Sequence, residues 1–402
     1  MQLTLEEKEK HFRQDKPRQW FESRDINLRE MLDFLPGEEV HPAQAGQSEA
    51  ETSGERIYRQ ARADLAAKGK TGKLKVVFFP YKAALWDSME TIYEAAIRDK
   101  QADVRVVPIP WEQPGSGEEH LLHDEMADFS QGIRLFPWRK YNLQNRRPDI
   151  VFVHNPYDQF NSVVRIAPEF FIKNMRPYVR ELVYVPYYVS INGWLAEDRL
   201  MSAGLDLADL VPLESEAVRQ KYMQAYRNFG EENGIWKQME PGLAKFKVLG
   251  SPKFDRVQRQ RAEDREIPAD WKPVLHRQGG GRKRVVLYNT SLQAFYDSKE
   301  KMLDKIERVL ECFKERCNEI CLLWRPHPLY REMLADALPR GLGRYEAMVR
   351  ECREGGWGIY DDLPNMYRSI ALSDAYYGDM SSVITLYRET GKPILIQHVD
   401  VK

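Results

Sequence analysis

Short apolar, β-branched runs alternate along most of the chain with stretches whose apolar positions recur at helical spacing. LKVVFFP (74–80) reads as a buried strand, and WDSMETIYEAAIRDK (86–100) as a helix with Asp87 and Ser88 in capping positions. DVRVVPIP (103–110) is the next strand. DIVFVHNP (149–156), a helix around 167–178, LVYVP (182–186), a helix near 215–229 and FKVLGSP (246–252) follow. A polar, proline-containing connection (263–282) then runs into QGGGR, and the alternation begins again. RVVLYNTS (284–291) is a strand, KEKMLDKIERVLECFKERC (299–317) a helix and ICLLWRP a strand. A helix is predicted over much of 330–351, a strand and turn at GWGIYDD (356–362) and a short helix at LPNMYRSIALS (363–373). DAYYGDMSSVITLYRETGKPILI (374–396) supplies a last strand, helix and strand.

Such alternation predicts an α/β fold whose parallel sheets are covered by helices on both faces. Two series in tandem predict two Rossmann-like domains facing across a cleft, at 56–262 and 263–402. The length, 402 residues, agrees with two cores. Residues 1–36 read as charged helices carrying Phe12, Trp20, Phe21, Leu28, Met31 and Leu32, and HPAQAGQSEAETSGE (41–55) as a linker, so 1–55 is expected to be a helical extension.

Charge narrows the function classes. The formal net charge is −1 and the charged residues are spread evenly, which argues against nucleic-acid binding. The N-terminus, MQLTLEEKEKHFRQDK, lacks the apolar segment of a signal peptide, and no run approaches the roughly 18–20 apolar residues that span a bilayer. A cytoplasmic protein is expected. Cys312, Cys317, Cys321 and Cys352 match no zinc spacing and read as inert thiols, so no metal is expected.

The candidate chemistry lies at strand ends, because parallel α/β sheets bind ligands beyond the carboxyl ends of their strands. In GDMSS (378–382), Gly378 permits a tight turn and Ser381 and Ser382 fall in the first turn of a helix, where free N–H groups and hydroxyls suit a phosphate. Helix capping by Asp379 or Ser381 is the simpler alternative. WRPHP (324–328) ends another strand of the same half. Arg325 offers a guanidinium fork, His327 a proton or hydrogen bond, and two prolines stiffen the loop.

RPHP, DDLPNMYRSIALSDAYYGDMSS and LYRETGKPILI together resemble the CDP-glycerol glycerophosphotransferases, the family of teichoic-acid polymerases. LGSPKFD (249–255) and VVLYNTS (285–291) are similar to that family's passage between domains, so the resemblance covers about 247–397. It implies a GT-B-like fold with the nucleotide held mainly by the C-terminal domain. It also implies that His327 and Arg325 contact the pyrophosphate, that Ser381 and Ser382 bind phosphates, and that Asp379 orients the turn. Thr290 and Lys253 would line the cleft. The implied reaction transfers glycerol phosphate from CDP-glycerol, the donor substrate, to a hydroxyl of a polymeric or lipid-linked envelope acceptor. No further cofactor is implied, and the acceptor leaves room for contact with the inner face of the membrane.

The sequence departs from the family in its first half. The W-H-G-T-like stretch that carries the family's base is missing, and the comparable strand, ELVYVPYYVSINGW (181–194), has tyrosines instead. The family generally continues past the point matching Lys402, so the chain reads either as a truncated piece or as a shortened relative. His154 and Asp158 in HNPYD (154–158) are the candidate base and its partner, with loop capping as the alternative. Trp86, Asp87 and Ser88 in YKAALWDS (81–88) are candidate acceptor contacts, or simply a helix start. A sugar-nucleotide glycosyltransferase and a non-catalytic nucleotide-binding protein remain open alternatives. FPWRKYNLQNRRPD (136–149) reads as a solvated loop or a surface for a membrane or polyanion. QGGGRKR (278–284) lacks a dinucleotide fingerprint, and Asp361–Asp362 is no D-x-D metal motif.

Overall fold

The computed structural model describes residues 20–22, 28–34, 50–114, 121–129, 132–161, 164–191, 193–196 and 199–397. Phe12 and residues 41–49 of the linker expected at 41–55 lie outside them. The chain divides into two compact units: Ser48–Arg256, and Val257–Lys402 together with Met1–Gln47. Strand β1 (Trp20–Glu22) belongs to the second of these.

The unit Ser48–Arg256 contains β2 (Leu74–Phe79), β3 (Ala102–Val106), β4 (Trp111–Glu112), β5 (Ile150–Val153), β6 (Arg165–Ile166), β7 (Glu181–Tyr184), β8 (Val211–Leu213) and β9 (Phe246–Val248). Four strands form a parallel sheet in the order β3-β2-β5-β7. β8 and β9 pair in parallel, and a bridge from Val183 to Leu210 links them to β7. β4 and β6 form a small antiparallel ribbon. The main strands are almost wholly apolar because both faces are covered; Phe78 stacks on Phe152 with ring centroids 4.6 Å apart. Since β3 lies on one side of β2 and β5 on the other, the strand order reverses between β2 and β5. That is where such a sheet opens a crevice.

Helix Ser53–Ala67 starts with a capping box between Thr52 and Glu55. Asp255 adds a second cap by accepting hydrogen bonds from the Ser53 and Gly54 amides at 2.8 and 3.0 Å. This cap, and the Arg256–Glu90 ion pair, tie helix Pro252–Gln258 to this unit and put the boundary after Arg256, not at 262 as expected. The helix expected at 86–100 is a 3-10 turn, Ala83–Ser88, followed by Glu90–Arg98. The one near 167–178 breaks into short turns at Pro168 and Pro177, which supply no amide hydrogen.

At the amino end of β7, Glu181 is buried and its Oε2 meets Lys68 Nζ at 2.6 Å. Burial, opposed by Lys68, raises its carboxyl to about 7. The native state therefore holds a proton that the unfolded chain has released, and this contribution to stability fades as pH rises from about 4.5 to about 7. Relative to the wild type, Glu181→Gln should gain stability across that window in urea titrations. A difference that stays constant with pH would refute the assignment.

The second unit contains β1 with β10 (Arg284–Thr290), β11 (Ile320–Pro326), β12 (Gly358–Tyr360), β13 (Ala375–Gly378) and β14 (Ile394–Ile396). All pair in parallel, in the order β1-β14-β13-β10-β11-β12. This is the doubly wound Rossmann order, with reversal between β10 and β13 and with its outermost position filled by β1. The expected free helical extension is thus partly a strand paired Trp20 to Ile394, and helix Leu28–Phe34 buries Leu28, Met31 and Leu32 in the same core as Met302 and Ile306. The helix expected over 330–351 splits into Tyr330–Ala337 and Leu342–Glu354 around Pro339. Each unit is therefore a Rossmann-like α/β body with a parallel sheet, the fold class read from the sequence.

Candidate functional site

At the reversal between β10 and β13, Asn289 pairs in register with Gly378. Gly378 has φ +139°, and a Cβ there would stand 2.2 Å from the Asn289 carbonyl oxygen. Glycine lets the two strand ends approach and the chain turn sharply. Asp379 is buried just beyond. Its Oδ2 accepts from the Ser291 amide at 2.8 Å and its Oδ1 from Lys305 Nζ at 2.8 Å, while its own amide donates to the Asn289 carbonyl. Lys305 is fully buried and also donates to the Gln397 carbonyl. Asp379 thus clasps the ends of β10 and β13 together, and the ion pair ties them to helix Glu300–Glu315.

Asn289 is the hub of this cluster. Its side-chain Nδ2 donates to the Arg325 carbonyl at 2.9 Å, and its Oδ1 accepts from Ser381 Oγ at 2.8 Å and from Tyr376 at 3.3 Å. Ser381 stands at the N-cap of helix Ser382–Arg388 but turns its hydroxyl to Asn289 and does not cap with it. Ser382 is exposed. Thr290 is buried, accepts from Trp324 Nε1 at 3.3 Å and offers its carbonyl to the His327 amide at 2.9 Å.

Arg325 and His327 extend from β11, the neighbour of β10. The Arg325 guanidinium pairs with buried Asp361 at 2.6 Å and donates to the Leu363 carbonyl at 2.8 Å. Two of its five N–H donors are thereby used and its plane is set. Asp361 also accepts from the Leu363 amide and from Ser369 Oγ, so it orients the arginine. The His327 ring is at the surface, and Nδ1 accepts from the Leu329 amide at 3.2 Å. Lost hydration lowers its pKa below the usual histidine value, so near neutral pH the ring is uncharged. With Nδ1 accepting, the proton sits on Nε2, which leaves an N–H donor outward. The structure thus gathers Thr290, Arg325, His327, Asp379 and Ser381 into one hydrogen-bonded set at three adjacent strand ends. Asn289, Lys305 and Asp361 were missed; Lys305 could have been found as a lysine among the apolar positions Met302, Ile306 and Val309 of one helix face.

The remaining candidates all belong to Ser48–Arg256, at the reversal between β2 and β5. His154 is fully buried. Its Nε2 accepts from the Tyr81 amide at 3.1 Å and its Nδ1 lies 3.2 Å from Ser88 Oγ, whose own proton goes to the Leu85 carbonyl. Burial, then the charge of Lys253, lowers its pKa to about 3. Both nitrogens hold loops, leaving none for an incoming hydroxyl. Asp158, at φ +50°, accepts from the Ile172 and Lys173 amides at 2.7 and 3.3 Å and caps the turn that follows. Burial raises its pKa. Trp86 packs edge-on against Phe78, Tyr93 and Phe129 in the core. Asp87 pairs with Lys253, and Ser88 serves His154. In this arrangement these six residues build the loops at the crevice. The aromatic residues of 136–149 likewise pack inward, Tyr141 against Phe79 and Trp138 against Phe170.

Among the described residues no cluster of His, Cys, Asp and Glu could hold a metal ion, and no helix is long and apolar enough to cross a membrane. No family model matches the chain, and no curated protein does either. Solved structures with a similar course include the wall teichoic acid polymerase TagF, with 11% identity, 85% of this chain and 75% of that one covered, and a TM-score of 0.45. A UDP-GlcNAc 2-epimerase from Methanocaldococcus jannaschii aligns at 10% identity over 80% and 82%, with a TM-score of 0.45. Staphylococcus aureus MnaA, solved with UDP, aligns at 13% over 81% and 79%, with a TM-score of 0.43. Values this low assign no activity.

Proposed function

We propose that the chain is a transferase that takes a nucleotide-activated donor at the carboxyl ends of β10, β11 and β13. The donor is CDP-glycerol, and glycerol phosphate passes to a hydroxyl of a cell-envelope acceptor. The observation that carries this reading is the convergence at one topological switch point of the GDMSS and RPHP residues, which come from separate stretches of sequence. The resemblance of those stretches to the glycerophosphotransferases supports the choice of donor.

In the proposed reaction an acceptor oxygen attacks the β-phosphorus. The new P–O bond forms as the bond from that phosphorus to the bridging oxygen breaks, the acceptor proton passes to solvent, and CMP leaves with the bridging oxygen and its charge. Nε2–H of His327, the free N–H groups of Arg325 and the hydroxyl of Ser382 would meet that charge. Because His327 and Arg325 are anchored before the donor arrives, these two need little reorganisation.

One observation favours a second reading. With His154 and Asp158 both engaged in holding loops, a non-catalytic nucleotide-binding protein fits the same geometry. Thermal shifts with CDP-glycerol, CMP, UDP-glucose and UDP-N-acetylglucosamine test both. A ligand at about 100 times its Kd should add about 2.7 kcal/mol. Stabilisation by the cytidine compounds alone, reduced in Ser381→Ala/Ser382→Ala, is the expected result, with CMP release lost in His327→Ala. Response only to uridine compounds would point to a glycosyltransferase, binding without turnover to the second reading, and no response at all would overturn both.

A further inference from the structure

The unit Ser48–Arg256 holds a cavity of about 690 Å³ that no residue discussed so far explains. Its walls include Tyr81, Tyr157 and Tyr187, with Phe160, Asn161 and Arg199. The three tyrosines follow the carboxyl ends of β2, β5 and β7, so the cavity sits at the edge where this sheet is expected to receive ligand. Its volume lies within the range of small-molecule sites. Of the lining residues Phe160 stands 71% exposed.

The chemistry of the walls selects a ligand. Among the described residues no aspartate or glutamate lines the cavity, and Arg199 is the one cation. Among the described residues Arg199 has no acidic partner. Its guanidinium rests over the Tyr188 ring, 4.6 Å from the centroid, and its carbonyl accepts from the Tyr188 hydroxyl at 3.1 Å. Among the described residues the arginine is thus held in place with its fork unspent, which suits a phosphate. Burial, ahead of the neighbouring tyrosines, holds the phenols of Tyr81 and Tyr157 far above the usual range, so they remain neutral donors and acceptors. The rings meet edge to face: Tyr81 and Tyr187 at 79°, and Tyr187 and Tyr188 at 79°. They form a corner, not a parallel slot, so a flat nucleobase has no pair of faces to enter. A puckered, hydroxyl-bearing body would present C–H groups to the rings and hydroxyls to the phenols, Asn161 and Ser202.

We propose that this cavity binds a phosphorylated polyol or sugar, with Arg199 on the phosphate and Tyr81, Tyr157 and Tyr187 around the carbon skeleton. Its role as the acceptor site rests on the transferase reading; the binding itself does not.

Calorimetric titration of the whole chain with glycerol 3-phosphate and glucose 6-phosphate tests it, with inorganic phosphate, glycerol, glucose and CMP alongside. The phosphorylated polyols should bind more tightly than phosphate or the parent polyols. Arg199→Gln should weaken them about tenfold or more, with Arg199→Lys in between. Tyr187→Leu should remove their advantage over inorganic phosphate. Ser381→Ala/Ser382→Ala should leave them unchanged, so failure of CDP-glycerol to bind would sink the transferase reading and not this one. Absence of binding, equal binding by Arg199→Gln, or a preference for CMP that Arg199→Gln abolishes would overturn it.

Discussion

Asp379→Ala should destabilise the unit built on β10–β14 by about 3–5 kcal/mol, because it strands a fully buried lysine without its counter-charge. Lys305 Nζ would keep only carbonyl and water partners, and the Ser291 amide would lose its acceptor. Followed by the fluorescence of Trp324 and Trp357, the urea midpoint should fall by about 1–3 M. Replacing both partners, Lys305→Met with Asp379→Leu, should recover most of that loss, since it is a lone buried charge that is costly, not the absence of the pair. A midpoint that barely moves in the single variant would show that water solvates the lysine and that the clasp does not hold the turn.

Gly378→Ala should be nearly as damaging although it adds a single carbon. At φ +139° an L side chain is strained wherever it finds space, and here the new Cβ meets the Asn289 carbonyl oxygen at 2.2 Å and its amide nitrogen at 3.0 Å. Those atoms belong to the adjoining strand and cannot swing aside as a side-chain tip would. Strain and overpacking together should cost about 3 kcal/mol or more. The same shift would separate Asn289 from Ser381, so any ligand response at these strand ends should vanish with it. Unchanged urea midpoint and ligand response in this variant would mean that β13 can slide and that the turn is not built around glycine.

Much of the fold was legible. Strands such as β2, β10 and β11 are apolar runs flanked by turn residues, and helix Glu300–Glu315 has a strong apolar stripe; both signals are local and survive without knowledge of the rest of the chain. β1 was not legible: three residues in a charged region become a strand only because the edge of β14 is there to pair with. The candidate site divides in the same way. GDMSS and RPHP stand out because glycine, serine and proline mark the turns that end strands and start helices. His154 looked like a base from its type and its place after β5, yet burial and two hydrogen bonds decide what a histidine can do, and neither shows in the local sequence.

By itself the sequence determined the alternation of strand and helix, hence parallel sheets in two series, and the positions of the turns that end β11 and β13. Those features follow from periodicity and backbone freedom within a few residues. Only the tertiary structure decided which charges meet: Lys305 with Asp379, Arg325 with Asp361, Lys253 with Asp87. It alone decided that three tyrosines from three loops enclose one cavity beside Arg199. The reason is physical. An ion pair or a cavity wall depends on distances set by how whole strands order themselves, and that order is a property of the assembled sheet and not of any segment in it.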